Sequence, residues 1–265
     1  MESTSRRLSA LQLIRSTSFT LWSYSASGRG NREQLVALKN KHANRRCVII
    51  GNGPSLNQMA IERLGSEITI GCNGLFLLFS KMGFIPTYYT VEDVLVAEDR
   101  GEQIAQIIGS QKIIPFDLRK QVPDPNAVWI NFIRHYKHFP QLSLDLAHNA
   151  YWGGTVTFLN LQLAIFLGCN PIYLIGVDHN YKTDIKVEKD GARWMSLEDD
   201  KNHFDPNYFG KGYRWHDPQT ARMELAYQKA RSEAERLGVS IFNATHGGKL
   251  EVFPRVDFDS IFQTA

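Results

Sequence analysis

Four polar residues each stand at the end of an apolar run. Asn52 follows Cys47-Val48-Ile49-Ile50-Gly51, Asn73 follows Ile68-Thr69-Ile70-Gly71-Cys72, Asp93 follows Thr87-Tyr88-Tyr89-Thr90-Val91-Glu92, and Asp178 follows Ile172-Tyr173-Leu174-Ile175-Gly176-Val177. If these runs are parallel strands, the four side chains crowd one sheet edge, where open α/β sheets bind ligands. An asparagine offers a donor and an acceptor without charge, which suits a ribose, a base or a phosphate. Asp178 can join the asparagines at the ligand edge, or simply cap the sheet edge or orient a lid group. His203, in an aromatic-rich stretch, is the acid–base candidate, because imidazole titrates near neutrality. His216, in Arg214-Trp215-His216-Asp217-Pro218, reads as structural, and His246 lies where a last strand would bring it towards the ligand edge. No His/Cys/Asp/Glu spacing suits zinc, and there is no serine nucleophile elbow.

The element that must position these groups is Gly51-Asn52-Gly53-Pro54-Ser55-Leu56. It reads as a strand-to-helix turn: Gly51 and Gly53 permit a tight bend, Pro54 stiffens it, and Ser55 is a good N-cap for a helix over 56–64. Such a turn is expected to aim backbone N–H groups at a phosphate. It is neither a dinucleotide fingerprint, since Leu56 replaces the third glycine and Asn73 the ribose-binding acid, nor a Walker loop.

Around it the chain alternates strand and helix. A short leading helix is expected over 33–42, then strands at 47–50, 67–73, 87–92, 112–116, 127–132, 171–178 and 240–243. Helices are expected over 75–82, 94–108 and 155–167, and over a last span that Asp217 caps, Pro218 opens and Gly238 stops. This alternation predicts an α/β fold: a Rossmann-like, doubly wound, mostly parallel sheet with helices on both faces. Residues 1–44 form a tail and leading helix, and 45–265 one nucleotide-binding catalytic domain. The connection of about 179–216, without regular periodicity but rich in aromatics and histidines, reads as a lid.

At 43% apolar and 22% charged, the 265 residues have an ordinary globular composition. A net charge of +3 without a dense basic stripe argues against nucleic acid. Cys47, Cys72 and Cys169 lack CxxC spacing and read as buried thiols in a reducing, cytoplasmic setting. Residues 3–32 hold five arginines and no acid, with Leu8, Leu11 and Ile14 at helical spacing. That composition suits peripheral contact with the inner face of a membrane, a partner subunit in a homo-oligomer, or a plain frayed extension.

Several runs together resemble a bacterial glycan-assembly superfamily. They are the Gly51–Leu56 turn, the Cys72-Asn73 strand end, Gly168 ahead of Ile172-Tyr173-Leu174-Ile175-Gly176-Val177-Asp178, and His203-Phe204. That superfamily includes the CMP-sialic-acid-dependent sialyltransferases of surface polysaccharide synthesis and the 6-hydroxymethylpterin diphosphokinase MptE-like proteins. Trp152-Gly153-Gly154-Thr155-Val156-Thr157, His203-Phe204-Asp205-Pro206, Tyr208-Phe209-Gly210-Lys211-Gly212 and Asn243-Ala244-Thr245 are most similar to the MptE-like branch found among polysaccharide genes.

The sialyltransferase resemblance implies a nucleotide sugar as partner, a CMP-linked sugar acid favoured, and a glycan or lipid-linked acceptor. It places the nucleotide on Gly51, Asn52, Gly53, Pro54, Ser55, Asn73, Thr155, Thr157 and Gly176, with Asp178 also lining it and Tyr181 donating to the leaving phosphate. His203 becomes the base of an inverting displacement, with no obligatory metal. Two departures count against sialic acid itself: Gly153-Gly154 stands where those enzymes carry arginine, and Val156 replaces a hydroxyl. The alternative is a diphosphokinase with Asp93 and Asp178 holding Mg²⁺, and a further one is a non-catalytic nucleotide-binding assembly protein.

Overall fold

The computed structural model describes residues 17–182, 186–191 and 193–262; Leu8, Leu11 and Ile14 lie outside them. Seven strands form one parallel sheet: β1 (Cys47–Ile50), β2 (Ile68–Cys72), β3 (Tyr88–Thr90), β4 (Gln111–Pro115), β5 (Val128–Ile130), β8 (Ile172–Ile175) and β12 (Ile241–Asn243). Their order is β12-β8-β1-β2-β3-β4-β5. The chain therefore winds outward from β1 to β5, then returns to the other side of β1. That reversal leaves a crevice beyond the carboxyl ends of β1 and β8, where such sheets take ligands.

Burial on both faces explains the apolar strands. In β1, Cys47 and Ile49 face one core and Val48 and Ile50 the other, all fully buried. The first core is closed by α1 (Ala26–Leu38), α4 (Val156–Phe166) and α5 (Thr220–Arg236). The second is closed by α2 (Phe79–Met82), α3 (Val94–Ala105) and 3-10 turns. Helix α4 is buried along its whole length. Its polar Gln162 is satisfied by accepting from Ser143 and Tyr151 amides (both 3.0 Å) and donating to the Tyr151 carbonyl (2.8 Å). Small β6 (Phe132–Ile133) and β7 (Ala150–Tyr151) pair beside the main sheet. The doubly wound expectation thus holds, and the three cysteines are free and buried.

Four local expectations change. The span 56–64 is two 3-10 turns, Pro54–Gln58 and Ile61–Leu64, because the Ser55 hydroxyl donates to Asp178 (2.7 Å) instead of capping a helix. Helix α1 starts earlier than expected and docks on β5, its Asn31 side chain exchanging hydrogen bonds with Trp129 main chain (2.9 and 2.7 Å). Helix α5 opens at Thr220 with Gln219 as N-cap, so neither Asp217 nor Pro218 starts it.

The connection after Asp178 is a built unit rather than an irregular loop. β9 (Val187–Asp190), β10 (Arg193–Ser196) and β11 (Arg214–His216) form an antiparallel sheet. Phe204 and Tyr208 from the same connection are buried in the second core. Among the described residues no helix is long and apolar enough to cross a membrane.

Candidate functional site

The crevice at the β1–β8 reversal holds a cavity of about 160 Å³. Its wall contains Gly51, Asn52, Gly53, Asn73, Asp93, Thr155, Thr157, Gly176, Asp178, Tyr181 and His203. Pro54 and Ser55 are not part of that wall. His246 is exposed and not part of the wall.

The expected cradle of amides at the first bend does not form. The Gly51 N–H donates to the Ile175 carbonyl (2.7 Å) and the Gly53 N–H to the Gly176 carbonyl (2.8 Å). The Ser55 N–H and hydroxyl both donate to the Asp178 carboxylate (3.2 and 2.7 Å). These amides stitch two strand ends together, so they are spent before any phosphate arrives. Close approach makes the glycines necessary: a Cβ on Gly53 would collide with the Asp178 carboxylate. Asp178 is therefore a tie between the bends, and burial raises its carboxyl pKa despite the Ser55 hydrogen bonds.

What faces the ligand instead is a pair of amides. Asn52 Nδ2 donates to the Cys72 thiol (3.3 Å), which turns its Oδ1 the other way. Burial pushes that thiol up to about 12, so it stays protonated. Asn73 sits in a left-handed conformation (φ 51°) at the end of β2. Among the described residues neither Asn52 Oδ1 nor Asn73 Oδ1 has a donor, and both oxygens are buried. A buried unsatisfied acceptor costs roughly 1–3 kcal/mol, so the two oxygens favour a ligand that donates.

Opposite them, α4 presents its N-terminal turn, with Thr155 as N-cap accepting from the Thr157 amide (3.3 Å). A helix start adds a partial positive charge there, which favours a phosphate. Tyr181 packs on the first core, and its hydroxyl pKa is raised by burial.

His203 reaches the same cavity and is held on every side. Its Nδ1 meets Asp200 Oδ2 at 2.7 Å, and its ring lies flat on Tyr208 at 4.0 Å. Asp200 also accepts from the Asn202 and Phe209 amides (2.7 and 2.8 Å). Burial works against its charge, but the His203 hydrogen bond and these amides bring its carboxyl pKa below the ordinary value. With Asp200 accepting at Nδ1, the imidazole's Nε2 is left as a base. Buried Arg100 donates to the Asn207 and Tyr208 carbonyls (2.7 and 2.8 Å), and the Phe204 amide donates to the Asn52 carbonyl (3.0 Å). The histidine segment is thereby tied to the Asn52 side of the cavity.

Sequence reasoning missed Asp200 as the partner of His203; the Asp-x-x-His spacing was the available signal. It also missed the pair His216–Asp93 (3.0 Å) at the cavity rim. Asp93 serves α3 as well, its Oδ1 accepting from the Leu95 amide (2.8 Å).

The family described as 6-hydroxymethylpterin diphosphokinase MptE-like matches residues 27–184, more than half of the sequence. The chain belongs to the MptE-like family. That match spans the first bend, β1 to β8 and the Asp178 tie, and stops before His203.

No curated protein matches the MptE-like chain. Among solved structures it is similar to the MAf glycosyltransferase from Magnetospirillum magneticum AMB-1, with TM-score 0.52 and 15% identity over 84% of this chain. The overlay covers 35% of that protein, so this chain spans about a third of its length. Two structures of the Campylobacter jejuni sialyltransferase CstII, one with CMP-3FNeuAc and one with cytidine-5'-monophosphate, overlay more loosely. Their TM-scores are 0.44 and 0.46, at 13% and 14% identity, over 80% and 81% of this chain and 86% and 85% of that one. The first likeness is one of fold, and the looser two carry no further argument.

Proposed function

We propose that this MptE-like chain is a glycosyltransferase of surface polysaccharide synthesis that takes a nucleotide-activated sugar, a CMP-linked sugar acid being the favoured donor. The observation that carries the reading is the pairing across one cavity of two donor-less amide oxygens, on Asn52 and Asn73, with a histidine whose base nitrogen is left free by Asp200. The amide oxygens accept from ribose hydroxyls or a base amino group. The N-terminal turn of α4 faces the phosphate. His203 Nε2 takes the proton of an acceptor hydroxyl, whose oxygen attacks the anomeric carbon as the bond to the phosphate breaks. Inversion follows from that single displacement. The similarity of fold to a glycosyltransferase supports the reading without adding a residue role.

The family's description favours a second reading, transfer of diphosphate to a pterin alcohol. Asp93 and Asp178 both line the cavity, as an Mg²⁺–triphosphate would require. Each is already engaged, Asp93 by Leu95 and His216 and Asp178 by Ser55, so a metal would have to displace or share those partners.

A thermal-shift panel of CMP, CDP, UDP, GDP and ATP, each with and without Mg²⁺, separates the two, since a ligand bound only to the folded form raises the melting temperature. A shift with CMP that ignores Mg²⁺ and weakens in Asn52→Ala is expected. A response to ATP with Mg²⁺ alone would overturn the transferase in favour of the diphosphokinase.

A further inference from the structure

Beside the nucleotide cavity lies a second hollow of about 360 Å³. The two share Glu92, Asp93, Gly154, His216 and Asp217, and the second continues over Arg134, His135, Trp152, Gln219 and Arg222. Two of its carboxylates are engaged: Glu92 by Arg134 (3.4 Å) and Asp93 by His216 (3.0 Å). Arg222 stands differently. It lies in the first turn of α5, a turn that contains no acid, and the positive helix end disfavours a cation there. Its guanidinium rests over the rings of Phe139 (4.5 Å) and Trp152 (4.6 Å). Among the described residues it has no carboxylate partner. A planar cation laid on two rings keeps its edge N–H donors for a ligand, in the fork that matches a carboxylate.

The rest of the lining meets a sugar. Asp217 and the Gln219 amide accept from hydroxyls, and Trp152 supplies apolar surface. Gly154, with φ +84° and no side chain, stands in the wall that the two hollows share.

We infer that the second hollow is the acceptor subsite, that it takes a saccharide ending in a sugar acid, and that Arg222 selects the carboxylate. Its role as the acceptor side rests on the transferase reading; the preference for an acidic saccharide does not. The reacting hydroxyl then extends past Gly154 towards His203, while the carboxylate stays on Arg222.

The test titrates 3'-sialyllactose and lactose into the full chain by saturation-transfer NMR and calorimetry, with and without CMP. Wild type, Arg222→Gln and Arg222→Lys are compared. Wild type should hold the acidic sugar about tenfold or more tightly than lactose, the size of one charge-assisted hydrogen-bonded pair. Arg222→Gln should bring the two sugars level and Arg222→Lys should restore part of the gap, with melting temperature and CMP affinity unchanged. Equal affinity in wild type, no saturable binding of either sugar, or a preference that survives Arg222→Gln would overturn the inference. CMP titrated alone reads the transferase proposal separately: if CMP fails to bind while the acidic sugar still depends on Arg222, the nucleotide reading falls and the sugar-acid site stands.

Discussion

Two histidine–carboxylate pairs border the same cavity, and they are built for different work. In His203–Asp200 the carboxylate is nearly buried, accepts two backbone amides and holds an imidazole pressed flat on Tyr208. In His216–Asp93 the histidine side chain is 44% exposed, and the carboxylate divides itself between that ring and the start of α3. The Asp93 hydrogen bond raises the His216 pKa above the ordinary imidazole value. A carboxylate beside a histidine is thus not enough to make a base. What distinguishes the first pair is that its carboxylate is almost fully buried and its ring is held flat against Tyr208.

The sharpest way to break that contrast is Asp200→Asn. It should cut single-turnover sugar transfer by about 10²–10⁴-fold, the usual worth of a positioned general base. Nucleotide affinity measured by calorimetry should hardly change, and a rate within threefold of wild type would remove His203 from the mechanism. Asp93→Ala should instead be felt through the α3 cap, at about 1 kcal/mol in urea unfolding. Tyr208→Ala should be felt more strongly than Asp93→Ala. Tyr208 is 1% exposed and supports both the His203 ring and, through its hydroxyl, the Gly74 amide (3.2 Å). Truncation should cost about 3–5 kcal/mol of unfolding free energy, as for other large core aromatics.

A further effect, read against pH, concerns Glu92, next to the second pair. Burial, only partly offset by Arg134, pushes its carboxyl up to about 7 from 4.5. The folded chain then holds a proton that the unfolded chain releases between those values, so this group's contribution to stability falls as pH rises from about 4.5 to 7 and is level above. The steepest slope is about 1.4 kcal/mol per pH unit. Glu92→Gln should flatten that part of a urea-midpoint profile against pH, and an unchanged profile would place the titration elsewhere.

The sheet was legible because its strands are covered on both faces, and buried strands leave unbroken apolar runs such as Cys47-Val48-Ile49-Ile50. Asn52 and Asn73 were legible because each stands one step past such a run. The first bend misled. Gly51, Gly53 and Ser55 are the residues of a phosphate-binding turn, but the same residues suit a tie to a neighbouring strand, and nothing local tells the two apart. The connection beyond Asp178 was harder still, because its strands are short and largely exposed and carry no clear alternation.

From its residues alone this chain is committed to a doubly wound sheet with polar groups at the strand tips, since unbroken apolar runs and glycine turns act over a few neighbours. Which tip groups stay free for a ligand was decided only in three dimensions. Asp178 comes to rest against Ser55, 123 residues away, and the Phe204 amide meets the Asn52 carbonyl across the crevice. Hydrogen bonds between distant segments leave no trace in local patterning, yet they determine which acceptors a substrate finds unoccupied.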